Sequence, residues 1–300
     1  MWDNRILGFE IYYIFSTFLL YSILGWIYES CFVSIRTRTL TNRGFLNGPI
    51  IPIYGAGAML VCVILNPLSN NIPLIFLGGM LLATLLEFVT SYIMEKLFHA
   101  KWWDYSQHKF NIQGRICPMV SLFWGFLSVI MITVLRPVSD FIINEFPRKY
   151  GEYINDIAII IIVIDMTITS VSTLKLNQIL YNIQKLRDEF VSYIENSKLN
   201  EIKDEFLVKY EKSTFADMME SLKVKLEESV KSKESKKQSD FRIELEDRMK
   251  ALKDKYTITL KNIQRIQKRL LKAFPNMKSI NNEFSLKEIR QKYARKRNKQ

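Results

Sequence analysis

The sequence predicts an all-α membrane protein, a polytopic transmembrane helix bundle followed by a cytoplasmic helical/coiled-coil domain. Residues 1–174 contain several nearly uncharged apolar runs long enough to cross a bilayer. Their 11 Lys/Arg and 11 Asp/Glu balance, whereas residues 175–300 contain 31 Lys/Arg and 19 Asp/Glu, so the whole net charge of +12 lies there. The apolar residues of this second part recur at helical spacing. These features exclude an ordinary soluble enzyme, a secreted disulfide scaffold and a disordered protein.

Five apolar runs of the first part qualify as membrane spans, because each is nearly uncharged over a length close to the thickness of a bilayer. They lie at about residues 11–33, 49–65, 72–98, 116–135 and 157–174. The second run is the weakest, since it is short and contains Pro52, Gly55 and Gly57. It could instead be a re-entrant or broken helix, which is tolerated where protein or a water-filled cavity covers the backbone.

The basic residues of the loops set the predicted orientation, because Lys and Arg are held on the cytoplasmic side. The loop after the second run, Asn66 to Asn71, contains none. The loops after the first and third runs contain three each: Arg36, Arg38 and Arg43, then Lys101, Lys109 and Arg115. An odd number of spans puts the termini on opposite sides. We therefore expect a multi-pass protein of the cell membrane with its N-terminus outside and its C-terminal domain in the cytoplasm.

Spans one and two resemble spans three and four, which indicates a parallel internal repeat. The segment from Gly44 matches the segment from Gly114 without a gap, so that Tyr54 meets Trp124 and Gly55 meets Gly125. A buried acid precedes each copy, Glu29 in the first span and Glu87 in the third. Repeats of this kind build many transporters, with the site at their junction. Because the match is short, and Gly and aromatic residues are frequent in spans, chance is the competing explanation.

Polar residues at membrane depth give the candidate site. A carboxylate in hydrocarbon costs several kcal/mol, so such residues are expected to face the bundle interior and to mark functional sites. Asp165 shares one face of the fifth span with Thr169 and Ser172. We predict a polar cavity open to the cytoplasm and lined by Glu29, Asn47, Glu87, Arg115 and Asp165. The alternative is that the two glutamates pair with Arg43 or Arg115 and only lock the bundle.

The aromatic residues that follow the third span predict a membrane-interface anchor. Indole and phenol rings prefer the headgroup level, and Trp102, Trp103 and Tyr105 lie just beyond the apolar run. No metal site or cofactor is predicted, because the two His residues and three Cys residues lack ligand spacing. No Gly is followed by Lys, so a Walker A loop is absent and this chain does not hydrolyse ATP by that route.

Beyond residue 174 the apolar residues follow an alternating three-four spacing from Leu176 to Tyr193, and again from Leu245 to Leu270, which predicts coiled-coil seams. The fifth span is expected to continue into this region as one long helix. From Lys261 to the end there are 13 Lys/Arg against two Glu. Anionic lipid headgroups are the nearest partner for such a tail. A solvated tail is the equal alternative, and no base-stacking platform points to specific nucleic acid.

A set of short motifs resembles a known family. In order they are Gly25-Trp26 with Glu29, Asn42-Arg43-Gly44-Phe45, Gly48-Pro49, Tyr54-Gly55, Glu87, Trp103-Asp104-Tyr105-Ser106, Asn111, Gly114-Arg115-Ile116-Cys117 and Trp124-Gly125. In order and spacing, over about residues 15–141, they resemble the ABC-transporter permease family of the CmpB type ("putative ABC-transporter type IV"). The resemblance implies a bacterial integral membrane permease whose ATPase would be a separate chain.

These observations support three functional hypotheses. The first is a permease-like subunit, expected to be a homo-oligomer, that moves or binds an unknown small molecule or lipid-like substrate. The second is a membrane-anchored interaction or regulatory protein that acts through its coiled-coil domain. The third is an intramembrane enzyme that uses Glu29 and Glu87. The predicted domains are a transmembrane domain at 1–174, a cytoplasmic helical domain at 175–274 and a basic tail at 275–300.

Overall fold

The structure, a computed structural model, describes residues 1–195, 214–229 and 236–297. Its helices are α1 (Ile11–Thr37), α2 (Pro52–Ile64), α3 (Ile72–Phe98), α4 (Pro118–Ile130), α5 (Arg136–Glu145), α6 (Arg148–Glu195), α7 (Phe215–Ser229), α8 (Lys236–Lys261), α9 (Arg265–Ala273) and α10 (Glu283–Arg297). Four two-residue strands are also present: β1 (Arg5–Ile6), β2 (Phe9–Glu10), β3 (Ala100–Lys101) and β4 (Lys278–Ser279). The predicted all-α class is therefore confirmed.

The chain divides into two compact units. The first comprises Met1–Thr173 together with Lys268–Lys278, and the second comprises Leu174–Gln267 together with Ser279–Gln300. Residues 268–278 are thus grouped with the first unit although both flanking stretches are grouped with the second. A sequence-based division at residues 174 and 274 did not anticipate this grouping.

Four helices are long and apolar enough to cross a membrane. They are Ile11–Thr37, Ile72–Phe98, the continuous stretch Pro118–Glu145, and Arg148–Glu195. Only 17–22% of the residues in their most apolar windows are buried, so most of these residues are partly or fully exposed. Outward-facing apolar helices of this length are typical of proteins that lie in lipid. The helical membrane bundle agrees with the prediction.

The second predicted span, at residues 49–65, differs from the other four. It forms α2, a helix of 13 residues that is about 20 Å long at 1.5 Å per residue. The helix alone is shorter than a hydrocarbon core of about 30 Å, so a crossing at this place needs residues on either side of it as well. Pro52 starts the helix, where a missing N–H costs nothing, and the turn Asn66–Leu68 follows its end. Sequence composition correctly marked this run as the weakest span.

Helices α4 and α5 form one stretch joined by a π-helical turn at Met131–Leu135. Pro137 lies two positions after the last residue of this turn. Because proline lacks the N–H that would bond the carbonyl of Thr133, a bond of the regular helix is missing at this place. A missing bond favours a locally wider turn. The stretch therefore runs ten residues beyond the end predicted at residue 135.

Two close helix contacts organise the first unit. A Cβ added to Gly55 on α2 would lie 2.2 Å from the carbonyl oxygen of Phe18 on α1. A Cβ added to Gly125 on α4 would lie 2.8 Å from the ring of Phe76 on α3. Small residues at such crossings let helix backbones approach closely in membranes. The first unit therefore contains two helix pairs, a first pair of α1 with α2 and a second pair of α3 with α4.

The second unit is a helical cluster. Its largest fully buried side chains include Phe190, Phe215, Leu222 and Leu252, and the ring of Phe215 packs against Phe190 at 5.7 Å and against Tyr256 at 5.2 Å. The fifth span and the following region do form one 48-residue helix, as predicted. The apolar stripes are buried, while coiled-coil packing itself stays a prediction. The predicted basic tail contains α10, and its last three residues lie outside the described part of the chain.

Candidate functional site

Glu87 is an enclosed carboxylate on α3, with 5% of its surface exposed. Its Oε1 accepts a hydrogen bond from the Tyr105 hydroxyl at 3.0 Å, and its Oε2 accepts one from the Trp124 indole N–H at 2.9 Å. Neither donor carries a charge, and Glu87 has no ion pair with any described residue. Burial raises the pKa of Tyr105, with the charge of Glu87 as the next cause, so this hydroxyl keeps its proton as a donor.

Glu29 on α1 has a different environment. Its side chain is 29% exposed, and its Oε2 lies 3.7 Å from Nε of Arg43. Its Oε1 accepts a hydrogen bond from the Tyr54 hydroxyl at 2.8 Å. The ion pair that the sequence offered as an alternative therefore exists for Glu29 and not for Glu87.

The internal repeat relates these two acids. Tyr54 and Trp124, which the sequence alignment of the repeat matches, are the donors to Glu29 and Glu87 respectively. Their rings meet edge to face with centroids 5.9 Å apart. Matched positions of the two helix pairs thus make matched contacts and also touch each other at the junction.

A cavity of about 310 Å³ lies at this junction. We call it the junction cavity; it is lined by residues of all four helices α1 to α4, including Tyr54 and Trp124. Most of the lining is apolar, and Glu87 is the only charged side chain among the described residues that form it. Its volume falls at the lower end of small-molecule sites, which measure roughly 300–1,000 Å³. The cavity could hold a mainly apolar ligand and present one carboxylate, that of Glu87, to its polar group.

Asp165 and Asn47 form a separate cluster. Asp165 Oδ1 accepts hydrogen bonds from the Asn47 backbone N–H at 3.1 Å and from its side-chain amide at 2.7 Å. Its Oδ2 accepts one from the Gly48 N–H at 2.7 Å, and Thr169 donates to Oδ1 at 3.1 Å. Asp165 and Thr169 do share one face of α6, as predicted. The carboxylate is thus satisfied by amide and hydroxyl donors that hold the α1–α2 loop against α6.

Arg115 belongs to a third cluster. Its Nη2 lies 2.9 Å from Oε2 of Glu95, its Nη1 donates to Gln113, and its guanidinium lies over the rings of Phe88 and Tyr92. The side chains of Arg115 and Glu95 are 10% and 17% exposed. Arg115 therefore pairs with Glu95, about two helical turns beyond Glu87, and not with Glu87 as the sequence had offered.

The five predicted lining residues are not all brought together at the junction cavity. Glu87 lines the junction cavity, whereas Glu29, Asn47, Arg115 and Asp165 do not. The reason is that each of the other four is held by a local partner in a loop or at a helix end. The hypothesis of an enzyme that uses Glu29 and Glu87 as a pair stays a prediction.

The predicted interface aromatics also have different surroundings. Trp102 is 4% exposed and packs edge to face against Phe45, Phe98 and Phe274, with the last centroid 4.8 Å away. A buried indole is not available to headgroups. Trp103 donates to the Arg115 carbonyl at 3.1 Å, and Tyr105 is committed to Glu87. These residues fix the α3–α4 loop, and the prediction of a membrane anchor does not fit Trp102.

Sequence reasoning did not identify Tyr54, Trp124 and Tyr105 as partners of the acids. The repeat already matched the first two, and both are aromatic residues that carry a polar hydrogen, which is the signal that could have found them. Tyr105 lies in a loop and had no such signal.

Among the residues that the structure describes, no group of three His, Cys, Asp or Glu is placed to hold a metal ion.

Comparison with known proteins gives one result. A model of the family described as "Putative ABC-transporter type IV" matches residues 16–170. The match extends past residue 141, where the sequence motifs ended, and reaches into α6 to include Asp165. No curated protein and no solved structure matches the chain. The matched region covers the paired helices, both acids and the junction cavity, and the apolar helices are those of a membrane transporter-like protein. The chain therefore belongs to the putative ABC-transporter type IV family.

Proposed function

We propose that the protein is a permease-like subunit that binds a mainly apolar or lipid-like substrate in the junction cavity, with Glu87 as its polar anchor. One observation carries the proposal. Glu87 lines an apolar cavity between the two helix pairs, and two uncharged donors are its described partners. An ionised carboxylate at membrane depth is expensive unless it is paired, so such residues mark substrate or ion pathways.

The position of the cavity supports the same proposal. In transporters built from repeats the substrate site lies at the repeat interface. Tyr54 and Trp124, one from each helix pair, meet in the lining. A relative movement of the pairs would therefore change the shape of the cavity. That movement would also act on Glu87, because Trp124 contacts Tyr54 of the other pair and donates to Glu87.

The other predicted site residues receive supporting functions in this proposal. Asn47 and Asp165 fix the α1–α2 loop to α6, and Arg115 with Glu95 fixes the end of α3. Glu29 is balanced by Arg43. The predicted polar cavity thus becomes a mainly apolar one with a single carboxylate, which favours substrates that bring a cationic or hydrogen-bond-donating head to an apolar body.

The remaining parts of the proposal rest on the family and on the loop charges. We propose a non-enzymatic permease of a bacterial cell membrane, with the N-terminus outside and the two charged loops, at residues 38–51 and 99–117, in the cytoplasm. A separate ATPase chain would dock on that side. A homo-oligomer, and contact of the basic C-terminal residues with anionic lipid, also remain proposals.

Native mass spectrometry of the purified full-length protein tests the cavity. The probes are dodecylamine, dodecanol and dodecanoic acid, which share one apolar chain and differ in the head group. We expect retention of the amine and the alcohol over the acid, because a carboxylate attracts a cation or a donor and repels another carboxylate. Glu87→Gln should remove this preference while the protein still inserts and folds.

A cavity-filling variant provides the spatial control. Ala83 lines the junction cavity, so Ala83→Phe should reduce retention of all three probes. Leu81 lies two residues away on the same helix and is 66% exposed, so Leu81→Phe should bind like the wild type. Equal retention by wild type, Ala83→Phe and Glu87→Gln would show that the probes bind elsewhere and would refute the proposed site.

A further inference from the structure

Residues 268–278 form a segment that packs on the first unit, far in sequence from the family region. We call it the strap. It consists of the last two turns of α9 and the turn after it, around Pro275. It contacts two loops, which we call the first loop (38–51, between α1 and α2) and the second loop (99–117, between α3 and α4). Each loop belongs to one helix pair.

Two cationic side chains of the strap bind backbone carbonyls of the first loop. Arg269 donates from Nη1 to the Gly44 carbonyl at 2.7 Å and from Nη2 to the Phe45 carbonyl at 2.6 Å. Lys272 donates from Nζ to the Leu40 carbonyl at 2.7 Å. Hydrogen bonds from charged donors are stronger than neutral ones, and the planar guanidinium fits two adjacent acceptors at once. Burial lowers the pKa of Arg269, with Asp165 opposing that change.

An aromatic anchor follows the cations. Phe274 packs against Trp102 at 4.8 Å, and the guanidinium of Arg43 lies 4.6 Å from the centre of its ring. Arg43 also donates to the carbonyl of Ala273, the last residue of α9, where the helix dipole is negative. Trp102 in turn contacts Phe45 of the first loop. The ring of Phe274 therefore completes a cluster to which both loops contribute.

The end of the strap meets the second loop in two ways: Lys278 lies in β4, which pairs with β3 of that loop, and its side chain makes an ion pair there. Lys278 Nζ lies 2.5 Å from Oδ2 of Asp104. Partial burial acts to raise the pKa of Asp104, but the bonds from Lys278 and Ser106 outweigh it and leave that pKa lowered. The carboxylate is therefore ionised near neutral pH.

Some buried hydrogen-bond donors where the strap meets the two loops have no partner among the described residues. Trp102 Nε1 and Arg269 Nε are buried and have no hydrogen-bond partner among the described residues. Buried donors without partners weaken a complex. Lys278 is half exposed, and exposed ion pairs contribute little. Both features weaken the hold of the two loops on the strap.

We propose that the two loops form a peptide-binding site for a helix end with the pattern Arg-x-x-Lys-x-Phe, which the strap fills in cis and can leave. The occupant is this chain's own segment. Tethering gives it an effective concentration of the order of millimolar, so it excludes a free peptide of the same sequence. The six residues of the site that carry the contacts all lie in the family-matched region, whereas the strap lies outside it.

The test measures binding of a fluorescent synthetic peptide, residues 264–279, to the full-length protein in detergent by fluorescence anisotropy. In the variant Arg269→Ala/Phe274→Ala the strap is weakened while the loops are intact. We expect this variant to bind the peptide at least about tenfold more tightly than the wild type, because the tethered competitor is lost. A peptide with Ala in place of the phenylalanine should bind neither protein.

Two further variants keep the test decisive. Arg265→Ala removes an exposed cation of α9 outside the strap and should leave peptide affinity at the wild-type value. Lys272→Glu/Lys278→Glu changes only exposed or half-exposed strap residues and should give a smaller gain, of about threefold. Equal affinity of wild type and both strap variants, measured on monodisperse protein, would overturn the proposal.

Cross-linking identifies the occupant. In a chain that also carries Cys31→Ser, the pair Leu40→Cys/Lys272→Cys should join within one chain through a bismaleimide linker about as long as the Lys272 side chain. Cross-linked dimers as the main product would show that a second copy supplies the strap, which would overturn the assignment in cis.

Discussion

The first and second helix pairs contain the same contact and balance its charge in different ways. In each pair an acid on the long helix accepts a hydrogen bond from an aromatic residue of the following helix, Tyr54 for Glu29 and Trp124 for Glu87. In the first pair Arg43 lies near the acid. In the second pair Arg115 binds Glu95 instead, about two turns along α3, and the described partners of Glu87 are uncharged donors. A repeated sequence pattern therefore predicts the contact but not the electrostatics, and the unbalanced copy is the one that lines the cavity.

The largest difference between the pairs is expected from their ion pairs. Glu95→Gln leaves Arg115 charged with its side chain only 10% exposed, and breaking such a pair should destabilise the protein by about 3 kcal/mol. Glu29→Gln should cost about 1 kcal/mol or less, because Arg43 and Glu29 are 3.7 Å apart and each more than 20% exposed. Thermal unfolding in detergent measures both.

The double variant Glu95→Gln/Arg115→Gln is the control for this prediction. It removes both charges, so it should recover part of the stability that Glu95→Gln loses. Equal losses for Glu29→Gln and Glu95→Gln would mean that the two ion pairs are equivalent, against the comparison drawn above.

The close helix contacts give the next largest difference. In Gly55→Ala the new methyl group meets a backbone carbonyl of α1, which cannot move aside, and we expect a loss of about 2–3 kcal/mol. In Gly125→Ala it meets the ring of Phe76, which can rotate, and we expect about 1 kcal/mol. Gly57→Ala is the matched control, since its Cβ would lie 3.6 Å from Leu86, an ordinary contact. A loss for Gly57→Ala as large as that for Gly55→Ala would contradict this ranking.

Several features of the fold can be predicted from the sequence. Length and apolarity predict the long helices, because a bilayer imposes both. The gapless match of the repeat predicts that Tyr54 and Trp124 are equivalent, because helical rise and pitch preserve register. The depth of Glu87 follows from the same arithmetic.

The remaining features depend on contacts that no local pattern encodes. Trp102 has the position of an interface residue, and it is buried because Phe274, far along the chain, packs on it. Arg115 could reach several acids, and its choice of Glu95 depends on how the second loop returns past the end of α3. The basic residues of the strap look like a lipid-binding tail in sequence, whereas Arg269 binds loop carbonyls.

A smaller effect is expected from the neutral donors. Tyr105→Phe removes one of the two hydrogen bonds to Glu87, which is 5% exposed, and should cost about 1–2 kcal/mol. Tyr54→Phe removes the equivalent bond from Glu29, whose side chain is 29% exposed, and should cost about half as much because water and Arg43 compensate. Denaturation of the two variants side by side gives the ratio. A larger loss for Tyr54→Phe would reverse the assignment of the unbalanced acid.

The smallest expected effect is a difference in pH dependence between the two loops that hold the strap. The contact of Lys272 with the first loop is to a carbonyl, which does not titrate, whereas Lys278 binds the carboxylate of Asp104 on the second loop. The folded-state pKa of Asp104 lies below its ordinary value of 3.8, so its contribution is complete above that value and is lost as the pH falls through the lowered pKa. Peptide binding to Arg269→Ala/Phe274→Ala should therefore weaken by about threefold between pH 6 and pH 3 and keep the rest of its affinity. Asp104→Asn in the same background should bind at pH 6 at least as weakly as the parent does at pH 3, with no further change on acidification. Complete loss of binding at pH 3 in both would show that acid disrupts the loops themselves rather than the one ion pair on the second loop.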